Sequence, residues 1–158
     1  MKNPVFITCL SALMWFAACK GPEPTELYYP MPEKSWDRYN ILRFELPIRE
    51  KGVTADVILF GVFNEQFEHQ TLNFGMNMKT PSGEERINEF EWKIRTKEGA
   101  FEGEKTERGQ MVNILLKRQL NIADTGMLIL DIENLVPRIR TAGVEGIGVK
   151  LINSEIAK

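Results

Sequence analysis

From Trp36 onward, apolar and polar positions exchange with a period of two. In "NILRFELPI", Leu42, Phe44 and Leu46 alternate with Arg43 and Glu45. In "TLNFGMNMK", Leu72, Phe74, Met76 and Met78 alternate with Asn73, Gly75 and Asn77, and in "EFEWKIR", Phe90, Trp92 and Ile94 alternate with Glu91, Lys93 and Arg95. Successive side chains of a strand point to opposite faces, so each run predicts a strand with one face turned to a core. Further strands are expected over 56–63, 111–118, 127–133 and 146–152. Over 110–123 the apolar residues keep to no single helical face, and β-branched Val112, Ile114 and Ile122 suit a strand.

Turn residues separate these runs. "TPSG", 80–83, carries Pro and Gly at the second and fourth places of a β-turn between two alternating segments, which predicts a hairpin. "ERG" (107–109), "ADTG" (123–126) and "TAG" (141–143) read as further turns, and a short helical turn is compatible with the residues after Pro137. Strands at this spacing predict an all-β domain over 36–158, an antiparallel β-sandwich of jelly-roll or Ig-like kind with about 7–8 strands. Two strands, "VILFGVF" (57–63) and "MLILDI" (127–132), are apolar on both faces. A sandwich strand normally shows one face to water, so something covers their second face. Either the preceding segment folds back, or a partner protein meets an exposed apolar patch, with 57–63 as the leading surface.

The residues ahead of the sandwich divide in two. Residues 1–18 have a positive start at Lys2 and a nearly uncharged run to Ala18, the form of a signal peptide. The run is shorter than the about 20 apolar residues of a bilayer-spanning helix. It ends in "FAAC", similar to a bacterial lipobox, so Cys19 is the expected site of lipid attachment. The alternative is an ordinary secretory signal with a chance cysteine. Residues 19–35 contain prolines at 22, 24, 30 and 32, which predicts a Pro-rich tether. At about 3.1 Å per residue it reaches roughly 50 Å. Tyr28 and Tyr29 within it are expected to pack on the domain, with ligand contact as the alternative.

Composition narrows the function classes. The chain has 20 Lys and Arg against 22 Asp and Glu, a formal net charge of −2, and no basic block, which argues against nucleic acid as a partner. Its 2 cysteines are Cys9 and Cys19. One lies in the leader and the other at the lipid site, so the mature domain has no disulfide to rely on. Membrane contact is expected through acyl chains, each buried CH₂ contributing about 0.8 kcal/mol.

Candidate chemistry is sparse. The single histidine, His69, lies in "NEQFEHQT". The mature serines, Ser35, Ser82 and Ser154, fall in a tether, a turn and the tail, without the context of an activated nucleophile. No catalytic residue, metal ligand set or cofactor is expected, and the chain reads as a non-enzyme. "EGAFEGE", 98–104, sets Phe101 in a glycine-flanked bend. Phe67, His69 and Phe101 are therefore the candidate contacts for a partner or ligand. Other envelope proteins are the expected partners. The alternative is a carbohydrate-binding module, which requires Phe67, Phe101 and Tyr28 or Tyr29 together in an exposed cleft. A hydrolase requires two acids, or His69 and an acid, converging in a pocket.

Several stretches also come in a familiar order. The lipobox, Trp36 leading into "ILRFELPI", the loop "NEQFEHQTLNF", "PSG", the "GAFEG" bend, "DTGMLILDIENL" and "VEGIGVKL" together resemble the gliding-motility lipoprotein H family (GldH). The likeness spans nearly the whole mature chain. It departs at Phe101, where the family tends to have Trp, and at 57–63, which lacks an arginine common near that strand's end. The resemblance implies a lipid-anchored cell-envelope protein, associated in gliding bacteria with the motility and secretion apparatus, without enzymatic activity. Lys20 after Cys19, rather than Asp, fits onward sorting to an outer membrane by analogy.

Overall fold

The alternating runs become the long strands of two packed sheets. The computed structural model describes residues 25–153. Within them lie β1 (Thr25–Pro30), β2 (Ser35–Asp37), β3 (Leu42–Ile48), β4 (Val53–Phe63), β5 (Thr71–Lys79) and β6 (Glu85–Lys93), followed by β7 (Glu104–Thr106), β8 (Gly109–Ile122), β9 (Gly126–Asn134), β10 (Arg140–Ala142) and β11 (Val144–Asn153). A five-stranded sheet has the order β1-β11-β4-β8-β7, and a four-stranded sheet the order β3-β9-β5-β6. A small ribbon pairs β2 with β10. Neighbouring strands run antiparallel throughout. The chain is thus an all-β, antiparallel sandwich.

Every long strand expected from alternation is present, and the extra ones are short. Residues 80–83 close the β5–β6 hairpin, with the Gly83 N–H donating to Thr80 O at 2.9 Å. Residues 123–125 instead link β8 in one sheet to β9 in the other. No helical turn follows Pro137; among the described residues a single 3-10 turn lies at Pro32–Lys34. The inward positions Phe44, Leu46, Leu59, Phe63, Leu72, Phe74, Trp92, Leu130 and Val149 are buried in one core with Trp36.

The tether expected over 19–35 is corrected for residues 25–35. Thr25–Pro30 pairs in register with β11, Thr25 against Leu151 and Pro30 against Gly146. "TELYY" contains no proline, so its backbone can enter a ladder. Proline is tolerated because the strand is an edge, where a missing donor faces no neighbour. Pro47 sits in the edge strand β3 for the same reason. The sandwich therefore includes residues 25–35, ahead of Trp36. The signal segment, Cys19 and the rest of the tether lie outside the described residues.

Tyr28 of the same strand covers Phe60 on the second face of β4. Phe60 and Val62 point away from the core, yet they are 1% and 0% exposed. Tyr28 stacks on Phe60 with centroids 5.9 Å apart and planes 6° from parallel. The rings lie across Gly146 and Gly148 of β11. A Cβ at Gly148 would meet Phe60 Cζ at 2.2 Å, and one at Gly146 would meet the Tyr28 hydroxyl at 2.1 Å. The glycines of "VEGIGVKL" thus make room for an aromatic lid. The folding-back alternative holds at Phe60, and the proposed partner surface on 57–63 is largely occupied by the chain itself. On β9 the outward Met127 remains 48% exposed.

The strand directions give the sandwich two distinct ends. Thr25, the β3–β4 turn, the β5–β6 hairpin and the β8–β9 link share one end, where the Gly52 N–H donates to Ala123 O at 3.2 Å and a Cβ on Gly126 would lie 3.1 Å from Pro81. Loops 64–70, 94–103 and 135–139 share the other. The 11 residues of β4 span about 35 Å between them.

Candidate functional site

The loops at the end remote from Thr25 carry Phe67, His69 and Phe101, and Arg95 ties Phe67 to Phe101. Arg95 follows β6, where the alternating pattern runs out and the chain turns towards the other sheet. Its Nε donates to Phe67 O at 2.8 Å, Nη1 to Gly99 O at 2.6 Å and Nη2 to Glu65 Oε2 at 3.1 Å. Its guanidinium carbon stands 3.8 Å from the centre of the Phe101 ring. One planar, five-donor side chain thus joins loops 64–69 and 96–101. Arg95 is largely buried, with a side chain 14% exposed.

The three selected residues differ in what they offer. Phe67 is fully buried, 4.9 Å from Phe63 between ring centroids. Gly143 permits this: it has φ +81°, and a Cβ there would meet Phe67 N at 2.1 Å. His69 is half-buried and meets Phe67 edge-on at 5.7 Å. Phe101 is half-buried against the core beneath Arg95. Phe67 therefore serves the core, and Arg95, which the sequence did not single out, joins its loop to that of Phe101. The available signal was an arginine at the end of an alternating run, just before a glycine-flanked bend.

The cleft of exposed rings required for a glycan module is not formed. Phe67 is buried, Tyr28 covers Phe60 on the outer sheet face, and Tyr29 packs edge-on against Phe44 at 5.1 Å. Among the described residues, neither serine is hydrogen-bonded to His69. Ser82 lies in the hairpin at the opposite end from His69, bonded to Thr80 at 2.9 Å, while Ser35 donates to Thr141 O at 3.3 Å. Ser154 lies outside the described residues. Among the described residues, no three His, Cys, Asp or Glu side chains gather as metal ligands, and no helix is long and apolar enough to cross a membrane.

Beside the Arg95 knot, the β2–β10 ribbon carries an exposed apolar tip. The Arg38 N–H donates to Ile139 O at 2.9 Å, setting the adjacent turns side by side. Tyr39 and Ile139 are 83% and 72% exposed. Buried Asn134 holds this ribbon to β9: its Nδ2 donates to Trp36 O at 3.1 Å and Thr141 Oγ1 at 3.0 Å, and its Oδ1 accepts from Val136 N at 3.0 Å.

The family described as GldH lipoprotein matches residues 24–151, which contain both sheets and the Arg95 knot. No curated protein matches the chain. Among solved structures it is similar to AlgX of Pseudomonas aeruginosa, with a TM-score of 0.42 and 11% identity over 86% of this chain and 27% of that one.

Proposed function

The chain belongs to the GldH lipoprotein family, and from that premise we propose that it is a non-catalytic interaction component of the cell envelope, anchored through lipid at Cys19. Membership supports a lipid-anchored envelope location and an association with gliding motility. The finer reading is a scaffold for other envelope proteins at the outer membrane.

The observation that carries this reading is the shortness of the leash. Thr25, six residues past Cys19, is already paired with Leu151. At about 3.5 Å per extended residue, the leash reaches only about 20 Å. An acylated Cys19 then holds the Thr25 end near the bilayer and turns the Arg95 knot and the Tyr39–Ile139 tip outward. Such an exposed apolar tip suits a protein partner.

The test is metabolic lipid labelling and crosslinking in the native host. Cys19 incorporates labelled fatty acid and the protein sediments with membranes, whereas Cys19→Ser neither labels nor sediments. A photocrosslinker at position 39 captures an envelope protein. An unmodified Cys19 overturns the anchor. Glycan binding with no protein captured from any exposed position overturns the interaction role.

A further inference from the structure

We propose that the outer face of the four-stranded sheet is a docking groove for a basic, extended segment of a partner protein, with one arginine or lysine side chain laid over Gly75 between Glu89 and Glu133. This deepens, and rests on, the interaction reading above.

The first observation is a glycine the fold does not require. Gly75 is the cross-strand partner of Glu89 on β6 and of Glu133 on β9. At Gly61, Gly146 and Gly148, which also lie inside strands, a Cβ would meet other atoms at 2.7 Å or less. At Gly75 it would meet Leu135 at 3.7 Å, an ordinary contact, and no positive φ is needed. Glycine weakens a strand interior and often marks the close approach of another chain. Here its missing side chain leaves the floor of a groove of 620 Å³, walled by Ile41, Ile87 and Leu135.

The second observation is the charge of the unmet groups. Arg43 on this face is committed to Asp131, through bonds of 2.7 and 2.8 Å. Among the described residues, Glu89 and Glu133 have no ion-pair partner. Two unmet carboxylates are answered by a cationic donor, which describes a guanidinium or an ammonium. Ile41 and Ile87, 55% and 75% exposed, offer apolar walls to the aliphatic stem of such a side chain. An anionic lipid or nucleic acid is repelled by the same carboxylates. A sugar hydroxyl brings acceptors of its own.

The test uses the full lipid-modified chain in detergent micelles and two synthetic peptides, acetyl-Val-Arg-Val-Arg-Val-amide and its Glu-for-Arg counterpart. The arginine peptide shifts the Gly75 amide resonance saturably and the glutamate peptide does not. Gly75→Val occupies the groove floor between Glu89 and Glu133 and weakens binding about tenfold or more, with the melting temperature unchanged. Glu89→Gln with Glu133→Gln weakens it about ten- to hundredfold, as expected for charge-assisted hydrogen bonds. No saturable shift, equal binding of the glutamate peptide, or undiminished binding by Gly75→Val overturns the groove. Photocrosslinkers at 87 and at 39 in native envelopes separate the two proposals. Capture at 39 alone sinks the groove and leaves the interaction role standing. Capture at 87 of a Lys- or Arg-rich segment supports both, and capture at neither position counts against both.

Discussion

The guanidinium of Arg95 lies 3.8 Å above the centre of the Phe101 ring while also donating to the Phe67 carbonyl at 2.8 Å. The ring and the carbonyl belong to different loops, so one side chain holds the outward end of the sandwich in a single arrangement. Truncation leaves the Phe67 and Gly99 carbonyls without their donor and removes the cation from the ring. Arg95→Ala is expected to cost about 3 kcal/mol of stability and to expose loop 96–101 to proteolysis. Arg95→Lys falls between, since an ammonium lacks the planar fork that reaches three partners. Urea denaturation with limited proteolysis checks both.

Alanine at two strand glycines separates space from need. Gly148→Ala drives a methyl group to within 2.2 Å of Phe60 and 2.7 Å of Leu27 O, and is expected to destabilise by about 1–3 kcal/mol. Gly75→Ala meets only ordinary contacts and is expected to be neutral, or to stabilise by about 0.5 kcal/mol by narrowing the unfolded ensemble. Thermal denaturation of the two variants in parallel decides it.

Asn134 satisfies two acceptors and one donor with a single amide group, at 0% exposure. Asn134→Ala strands the Val136 N–H and the Trp36 carbonyl in the interior, at an expected cost of about 3 kcal/mol. The loss falls first on the β2–β10 ribbon, so hydrogen exchange at Ser35–Asp37 and Arg140–Ala142 accelerates more than exchange within β4.

Alkaline pH tests the aromatic lid. Burial against Phe60 raises the Tyr28 hydroxyl above its ordinary value; Arg108, 5.2 Å from the ring, opposes the shift and Glu145 adds to it. The folded state thus keeps this proton more tightly than the unfolded chain, whose tyrosines ionise near pH 10. The contribution is complete below about pH 10 and is lost as pH rises through the folded value. Tyr28→Phe removes this component of alkaline destabilisation, and absorbance of tyrosinate against pH shows one fewer late-ionising group.

The sequence by itself determined the β-class, the seven long strands, the 80–83 hairpin and the family, because strand alternation and turn chemistry are local. Each inward position of β3 or β5 is marked by its own apolarity and that of its neighbours two residues away. Tertiary structure alone decided what depends on partners distant in the chain. The prolines around "TELYY" signalled a tether, yet Leu151, 126 residues after Thr25, supplied a ladder that local composition cannot report. Gly148 marks its place only because Phe60 crosses it, and Gly75 stands out only because nothing does. Arg95 looked like one more polar position until the fold set Phe67, 28 residues earlier, and Phe101 against it. Burial is written along the chain; pairing between remote segments emerges only when the sheets close.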